Sequence, residues 1–352
     1  MIQTIGNIVN LQYLDKDFIL DCMSVPSYSN MEGMVSSYIE NWANENGISI
    51  KKDSIGNLYL TKGEVKDGEY YPCVTSHMDT VHISHVEYIE KEKDLDLAIE
   101  LMWDGKHKLF VNSEENIGIG ADDKAGICIC LSLFQYFDAL KACFFINEEQ
   151  GCFGSRELDT DWFNDVGYVV GFDSPELYRS SWKCNGVKLF DYNFYENYIR
   201  PICSKWGLED HCFRSEPYTD VVYIRKKTGL ICMNFGNGGY EPHTEYEYCV
   251  LEDMDTACGM GIDVIQTIGN ERHYLKHSDE RTKDDEMLEV LGSVSDYQSK
   301  TLSTVDLAEY IMEKYEEHLC EIEFEILEKL KEKGISDFDD VIKEIFSRKI
   351  EL

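Results

Sequence analysis

Short, mainly apolar runs alternate with amphipathic stretches from about residue 12 to residue 268. Runs such as YPCVTSH at 71–77 and VGYVVGFD at 166–173 have the composition and length of buried strands. Stretches such as 30–47 place apolar residues at helical spacing and end at a glycine. Strands and helices that alternate in this way predict an α/β fold.

The predicted elements follow one another without an internal repeat. Two helices, a hairpin, a buried strand, an excursion of short strands, a helix and three more buried strands are predicted in turn, at 15–25, 30–47, 48–63, 71–77, 83–114, 122–137, 141–147, 166–173 and 229–236. A closing helix is predicted over 249–269.

The character of the chain changes beyond Gly269. Residues 304–334 carry apolar side chains at helical spacing on a charged background, and 336–349 add a short helix. We therefore predict a main α/β domain at 1–269, which holds every candidate site described below, and an acidic helical C-terminal extension at 270–352. The extension is either a helical hairpin packed on the domain, which we favour, or an arm that binds a partner.

The composition limits which partners the protein can bind and in which cellular compartment it is expected. The 352 residues include 33 basic and 67 acidic ones, and a net charge of -34 opposes binding to nucleic acid or to anionic membranes. The N-terminus lacks a signal-peptide pattern, and no apolar run reaches membrane-spanning length. Thirteen scattered cysteines without a CxxC pair indicate reduced thiols. We expect a soluble, cytoplasmic protein.

Acidic and imidazole side chains recur where predicted strands end, which is where α/β folds place their sites. The segments are TSHMDT (75–80), GADDKAG (120–126), NEEQG (147–151), GFDSPE (171–176) and EPHTEYE (241–247). Any one of them alone is more often a helix cap or a solvated surface. Five in succession predict a functional site.

The residue types in these segments suit a site for two metals. Two divalent ions about 3.5–4 Å apart need a bridging carboxylate and further oxygen or nitrogen ligands. Imidazole and carboxylate ligands without thiolate favour zinc, with cobalt or manganese as alternatives. His77 and Asp79 share one face at a strand end, so Asp79 is placed to hold the second ring nitrogen of His77. Glu148 and Glu149 offer a general base and a ligand.

The ordered set SHMDT, GIGADDKAG, NEEQGCFGS, GFD and PHTEYE resembles the co-catalytic zinc exopeptidases. It is closest to the family of peptidase T and carboxypeptidase G, whose entry segment resembles residues 24–60 of this chain. The resemblance covers roughly residues 12–268. It implies a three-layer sandwich around a central mixed, mostly parallel sheet.

The resemblance also implies a role for each matching residue. His77, Asp122 and Asp173 would hold one metal, and Asp122, Glu149 and His243 would hold the other, with Asp122 as the bridge. Glu148 would be the general base, and Asp79 would orient His77. The peptide bond between Asp122 and Asp123 would be cis.

One departure from the family concerns its lid domain, which is inserted between the matches of Asp173 and His243. These residues are 70 positions apart here, and the gap must also hold VKLFDYN, a helix around ENYIRPICSKWG, and TDVVYI. The sequence therefore predicts a lidless protein, either monomeric or associated through its C-terminal helices. Arg179, His211 and Arg214 lie in the shortened segment and are weak candidates for binding an oxyanion or a substrate carboxylate.

The predicted function is hydrolysis of peptide bonds in short peptides by a di-zinc metallopeptidase, a protease of the aminopeptidase type. Metal-activated water would attack the scissile carbonyl, with Glu148 as general base. One alternative is an amidase or deacylase of N-acyl amino acids. Another is a non-catalytic pseudoenzyme that binds metal or peptide.

Overall fold

A computed structural model describes most of the predicted catalytic domain. The described residues are 11–81, 101–103, 108–111, 118–177, 179–208, 214–216 and 219–275. The predicted C-terminal helices at 304–334 and 336–349, His211 and most of the predicted excursion at 83–114 lie outside them.

The strands are short and most lie close to their predicted positions. They are β1 Ser49–Lys52, β2 Leu58–Lys62, β3 Tyr71–His77, β4 Leu101–Trp103, β5 Lys108–Val111, β6 Leu140–Phe145, β7 Val166–Ser174, β8 Ser180–Cys184, β9 Val187–Lys188, β10 Arg214–Glu216, β11 Cys232–Gly236, β12 Gly239–Tyr240 and β13 Tyr248–Val250. All side chains of β3 and of β6 are buried, as expected for strands covered on both faces.

The helices predicted at 15–25, 30–47, 122–137 and 249–269 begin and end within a few residues of those bounds, and shorter helices lie between them. The described helices are α1 Lys16–Met23, α2 Gly33–Glu45, α3 Ala121–Leu133, α4 Phe153–Arg156, α5 Tyr192–Phe194, α6 Arg200–Lys205, α7 Asp220–Thr228 and α8 Leu251–Ile268. A π-helical turn at Tyr195–Ile199 joins α5 to α6, and a 3-10 turn at Thr160–Asp165 precedes β7. The side chain of Asp15 caps α1 by accepting a hydrogen bond from the Phe18 N–H at 2.9 Å.

The main sheet has the strand order β1-β2-β6-β3-β7-β11-β8-β10, and β9 pairs with β8. Its centre, from β6 through β3 and β7 to β11, is parallel, whereas β2 joins β6 and β8 joins β11 in antiparallel fashion. A smaller antiparallel sheet has the order β12-β13-β5-β4. The predicted α/β fold with a mixed, mostly parallel sheet is confirmed.

Helices cover both faces of the main sheet. A Cβ atom at Gly261 of α8 would lie 2.8 Å from the Phe172 ring, and one at Gly171 would lie 2.9 Å from Val221 of α7. Neighbouring residues of a strand point to opposite faces. Helices α8 and α7 therefore lie on opposite sides of β7, which gives the predicted three-layer sandwich.

Asp53 organises the turn between β1 and β2. Its Oδ1 atom accepts hydrogen bonds from the main-chain N–H groups of Ile55, Gly56 and Asn57 at 2.9–3.0 Å. Its Oδ2 atom accepts from Asn57 Nδ2 at 2.9 Å and from Tyr59 Oη at 3.2 Å. One carboxylate thus satisfies five donors of the hairpin.

We expect Asp53→Ala to lower the free energy of unfolding by about 1–3 kcal/mol, because it leaves partly buried donors without a partner. Asp67→Ala, in an exposed loop, is the matched control and should change it by no more than about 0.5 kcal/mol. Urea unfolding of the three proteins measures the difference. Equal stabilities of the two variants would show that the Asp53 network does not hold the hairpin.

Candidate active site

The predicted site residues meet at one edge of the main sheet. His77 is the last residue of β3, and Asp173 is the second-last residue of β7. Glu148 and Glu149 lie in the loop three and four residues after the end of β6, and β6, β3 and β7 are neighbouring parallel strands. The carboxyl ends of parallel neighbours lie at the same edge of a sheet, where α/β folds bind ligands.

The buried histidine of the site contacts two carboxylates. His77 Nε2 lies 3.1 Å from Asp122 Oδ1 and 3.5 Å from Asp173 Oδ1. On the other side of the ring, Nδ1 is hydrogen-bonded to the main-chain oxygen of Asp79 at 2.8 Å. A ring nitrogen fixed in this way leaves Nε2 aimed at the two carboxylates.

The second histidine of the site also contacts Asp122. His243 Nε2 lies 2.7 Å from Glu149 Oε1 and 3.2 Å from Asp122 Oδ2. The His243 side chain is 48% exposed, whereas that of His77 is 1% exposed. Asp122 therefore offers one oxygen to the buried histidine and the other to the solvent-facing one, which is the arrangement that a bridging ligand requires.

Asp123 also lies among these groups, but its oxygen atoms have other partners. Oδ1 accepts hydrogen bonds from Gly126 N at 3.1 Å and from Asn237 Nδ2 at 2.8 Å, and Oδ2 faces the N–H of His77 at 3.4 Å. The peptide bond between Asp122 and Asp123 is cis, as the resemblance implies. These contacts fit Asp123 to a structural role, although one of its oxygens lies within 4.8 Å of ligand atoms of His77 and Asp173.

The carboxylate of Asp79 contacts the glutamate loop, which carries Glu148 and Glu149, as well as His77. This carboxylate accepts hydrogen bonds from Glu148 N at 2.8 Å, Glu149 N at 3.2 Å and Ser29 Oγ at 2.8 Å. Its distance to His77 Nδ1 is 3.5 Å, which is longer than an ordinary N–H···O hydrogen bond. Both the main-chain oxygen and the carboxylate of Asp79 face Nδ1 of His77, and the carboxylate also fixes the loop that carries the two glutamates.

Two further residues, neither of which stands out in the sequence, support the expected ligands. Thr219 Oγ1 donates to Asp173 Oδ2 at 2.7 Å. Glu247 accepts hydrogen bonds from Gly120 N at 2.6 Å and from Asp122 N at 3.0 Å. Glu247 stands in the quoted EPHTEYE segment, but nothing in its sequence position shows that it contacts residues about 125 positions earlier.

Burial and like charges shift the pKa values of the acidic groups. Burial, followed by the charge of Asp122, raises the pKa of Glu149 to about 7. Burial and then Asp173 raise the pKa of Glu148 well above its usual range. Burial raises the pKa of Asp220, at the start of α7, to about 8. Carboxylates so close together in a buried site stabilise bound cations.

The same negative charge raises the pKa values of both histidines. Burial alone would lower the pKa of His77, but Asp173, Asp122 and Asp79 outweigh it and raise the pKa well above the usual value. Hydrogen bonds to Asp122 and Glu149 raise the pKa of His243 to about 11. Metal binding would displace protons from these imidazoles, since the neutral ring is the ligand.

The donor set fits divalent metal ions. Donor atoms of Asp122, Glu149 and His243 lie within 4.8 Å of one another, and His77 contacts Asp122 and Asp173. Imidazole and carboxylate donors without thiolate suit zinc, and also cobalt or manganese.

Three residues were weaker candidates for binding an oxyanion or a substrate carboxylate. Arg179 donates to Glu176 Oε1 at 3.1 Å, and the side chains of His211 and Arg214 lie outside the described residues.

Several solved structures are similar to this one in fold. The aminopeptidase PepT from Bacillus cereus ATCC 10987 is similar with a TM-score of 0.59 and 14% identity, over 73% of this chain and 100% of that one. A tripeptidase from Staphylococcus aureus has a TM-score of 0.57 and 12% identity, over 72% of this chain and 99% of that one. An aminopeptidase from the archaeon Desulfurococcus kamchatkensis has a TM-score of 0.54 and 12% identity, over 70% and 93%.

The resemblance to the peptidase T family is thus confirmed at the level of the fold. No protein-family model and no curated protein matches the sequence. Among the helices that the structure describes, none is both long enough and apolar enough to cross a membrane.

We expect Glu247→Ala to weaken zinc binding by about 10- to 100-fold, because the main chain of Asp122 loses the carboxylate that holds it. Glu245→Ala, an exposed position in the same loop, is the control and should leave the affinity unchanged. Calorimetric titration of metal-free protein with zinc measures both. Unchanged affinity in Glu247→Ala would show that the position of Asp122 does not depend on Glu247.

Proposed function

We propose that this protein is a di-zinc exopeptidase that acts as an aminopeptidase on short peptides. The observation that carries the proposal is the position of Asp122, which offers one oxygen to His77 and the other to His243. The fold shared with an aminopeptidase and a tripeptidase supports the substrate class. In this proposal His77, Asp122 and Asp173 hold one ion, and Asp122, Glu149 and His243 hold the other.

Two bound ions would supply Lewis-acid polarisation of the scissile carbonyl and a lowered pKa for the attacking water. The residues of the chain supply the rest of the arrangement. Asp79 fixes the main chain of Glu148 and Glu149, and Thr219 fixes Asp173. Ligands held by such contacts keep their geometry during the reaction.

Glu148 is the proposed general base. Its side chain turns toward Cys152, whereas that of Glu149 turns toward His243, so that the two adjacent carboxylates serve different roles. A carboxyl whose pKa is raised by burial and by Asp173 accepts a proton more readily than an ordinary glutamate. Glu148 would take the proton of the attacking water and deliver it to the leaving nitrogen as the C–N bond breaks.

We expect Asp122→Ala to lose metal at both positions, because its two oxygens face the two sets of ligands. His243→Ala removes a ligand from one set only, so it should weaken chiefly one ion. Elemental analysis after dialysis, with calorimetric titration, gives the stoichiometry of each variant. An Asp122→Ala protein that still held two zinc ions would contradict the bridging role.

We expect Glu148→Gln to lower turnover by a factor of about 10²–10⁴ while it retains both metals, because a base is removed and no ligand is lost. Glu149→Gln, the matched change at the next residue, should lose metal as well as activity. Peptidase assays combined with elemental analysis separate the two effects. Wild-type turnover in Glu148→Gln would refute the mechanism.

The substrate class is tested on the wild-type protein with a panel of di- and tripeptides, their N-acetylated forms and N-acyl amino acids. We expect the free-amine peptides to be hydrolysed from the N-terminus. Hydrolysis confined to the N-acyl compounds would instead identify a deacylase. A zinc-loaded protein that hydrolyses none of them would support the pseudoenzyme.

A further inference from the structure

The carboxylate of Glu148 has a thiol as a hydrogen-bond partner. Cys152 Sγ lies 3.1 Å from Glu148 Oε1. A thiol is a weak donor, and the oxygen atoms of a carboxylate are acceptors. The S–H group donates to Oε1, which leaves Oε2 of Glu148 for another partner.

The main chain closes a turn that brings these side chains together. The N–H groups of Gly151 and Cys152 both donate to the main-chain oxygen of Glu148, at 2.8 and 2.6 Å. Cys152 has φ 58° and ψ 40°, a left-handed conformation that is uncommon for residues other than glycine. Cys152 therefore occupies a position where glycine would fit the backbone more easily. Residues with such conformations cluster at functional sites.

The thiol remains protonated in this environment. Cys152 is fully buried, and burial together with the charges of Asp220 and Glu148 raises the pKa of its thiol well above the usual value. Thiolate is the form of cysteine that acts as a nucleophile or a soft metal ligand. These surroundings therefore disfavour Cys152 as a nucleophile and as a metal ligand. An S–H group can still donate a hydrogen bond.

We propose that Cys152 is a positioning residue, whose thiol holds Oε1 of Glu148 so that Oε2 faces the attacking water. This inference rests on the proposed function, because it gives Glu148 the role of general base. A base that is itself oriented by a third group is the arrangement on which activated nucleophiles generally depend. The contact fixes the carboxylate from the side of α4, independently of Asp79, which holds only its main chain.

Cys152→Ala tests the proposal in the full-length zinc-loaded enzyme, together with Cys152→Ser. We expect the alanine variant to lose about 10- to 100-fold in kcat at unchanged KM and zinc content, since the base is no longer held in place. Serine differs from alanine by one hydroxyl oxygen, and this donor should restore most of kcat. Cys203→Ala, which removes a buried thiol from α6, is the control and should keep wild-type kinetics.

Thermal unfolding of the variants distinguishes a positioning role of Cys152 from a packing role. If the loss in kcat followed the melting temperature across the alanine and serine variants, Cys152 would be a packing residue and the proposal would be wrong. Wild-type kcat in Cys152→Ala would also overturn it. A wild-type enzyme inactive on every peptide of the panel would instead refute the proposed function, and the positioning role with it.

A second measurement needs no activity and no metal. The S–H stretching band of Cys152 is isolated as the infrared difference between metal-free wild type and Cys152→Ala. The same difference is then taken between Glu148→Ala and the Glu148→Ala, Cys152→Ala double variant. We expect the band to move to higher wavenumber when Glu148 is absent, because the hydrogen bond to its carboxylate is lost. An unchanged band would show that the thiol does not donate to Glu148.

Discussion

The crowding of buried carboxylates at one edge of the main sheet is the constraint on which the rest of the site depends. Asp122, Asp173 and Glu149 converge on two imidazoles, and Glu148 lies beside them. Negative charges in a medium of low dielectric repel one another strongly unless cations or protons accompany them. This crowding accounts for the raised pKa values of Glu149 and of both histidines. Divalent ions would compensate the negative charge more completely than protons.

The fold holds these groups together with main-chain donors and hydroxyls as well as with counter-charges. Asp79 binds two consecutive N–H groups of the glutamate loop, and Glu247 binds the N–H groups of Gly120 and Asp122. Each of these carboxylates is itself buried, so its hydrogen bonds are strong and its loss would be costly. The geometry of the proposed ligands therefore depends on acidic residues that would not touch a metal.

The order of motifs along the chain was enough to predict the sheet, its two covered faces and the residues that meet at its edge. A strand that is apolar and ends in a histidine or aspartate can be recognised locally, and parallel neighbours bring such ends together. The supporting contacts could not be predicted in this way. Glu247 and Thr219 act on residues far away in sequence, and the contact of Cys152 with Glu148 depends on a left-handed turn that the letters EEQGC do not specify. The Asp79 carboxylate lies 3.5 Å from His77 Nδ1, but its hydrogen bonds to the glutamate loop and the closer contact of its main-chain oxygen with the same ring nitrogen could not be predicted from the motif.

Anomalous diffraction at the zinc absorption edge, from crystals of the zinc-loaded protein, tests the central claim most directly. The account predicts two peaks about 3.5–4 Å apart. One should lie beside His77 and Asp173, and the other beside Glu149 and His243, with one oxygen of Asp122 on each. A single peak, or two ions bridged by a residue other than Asp122, would contradict it.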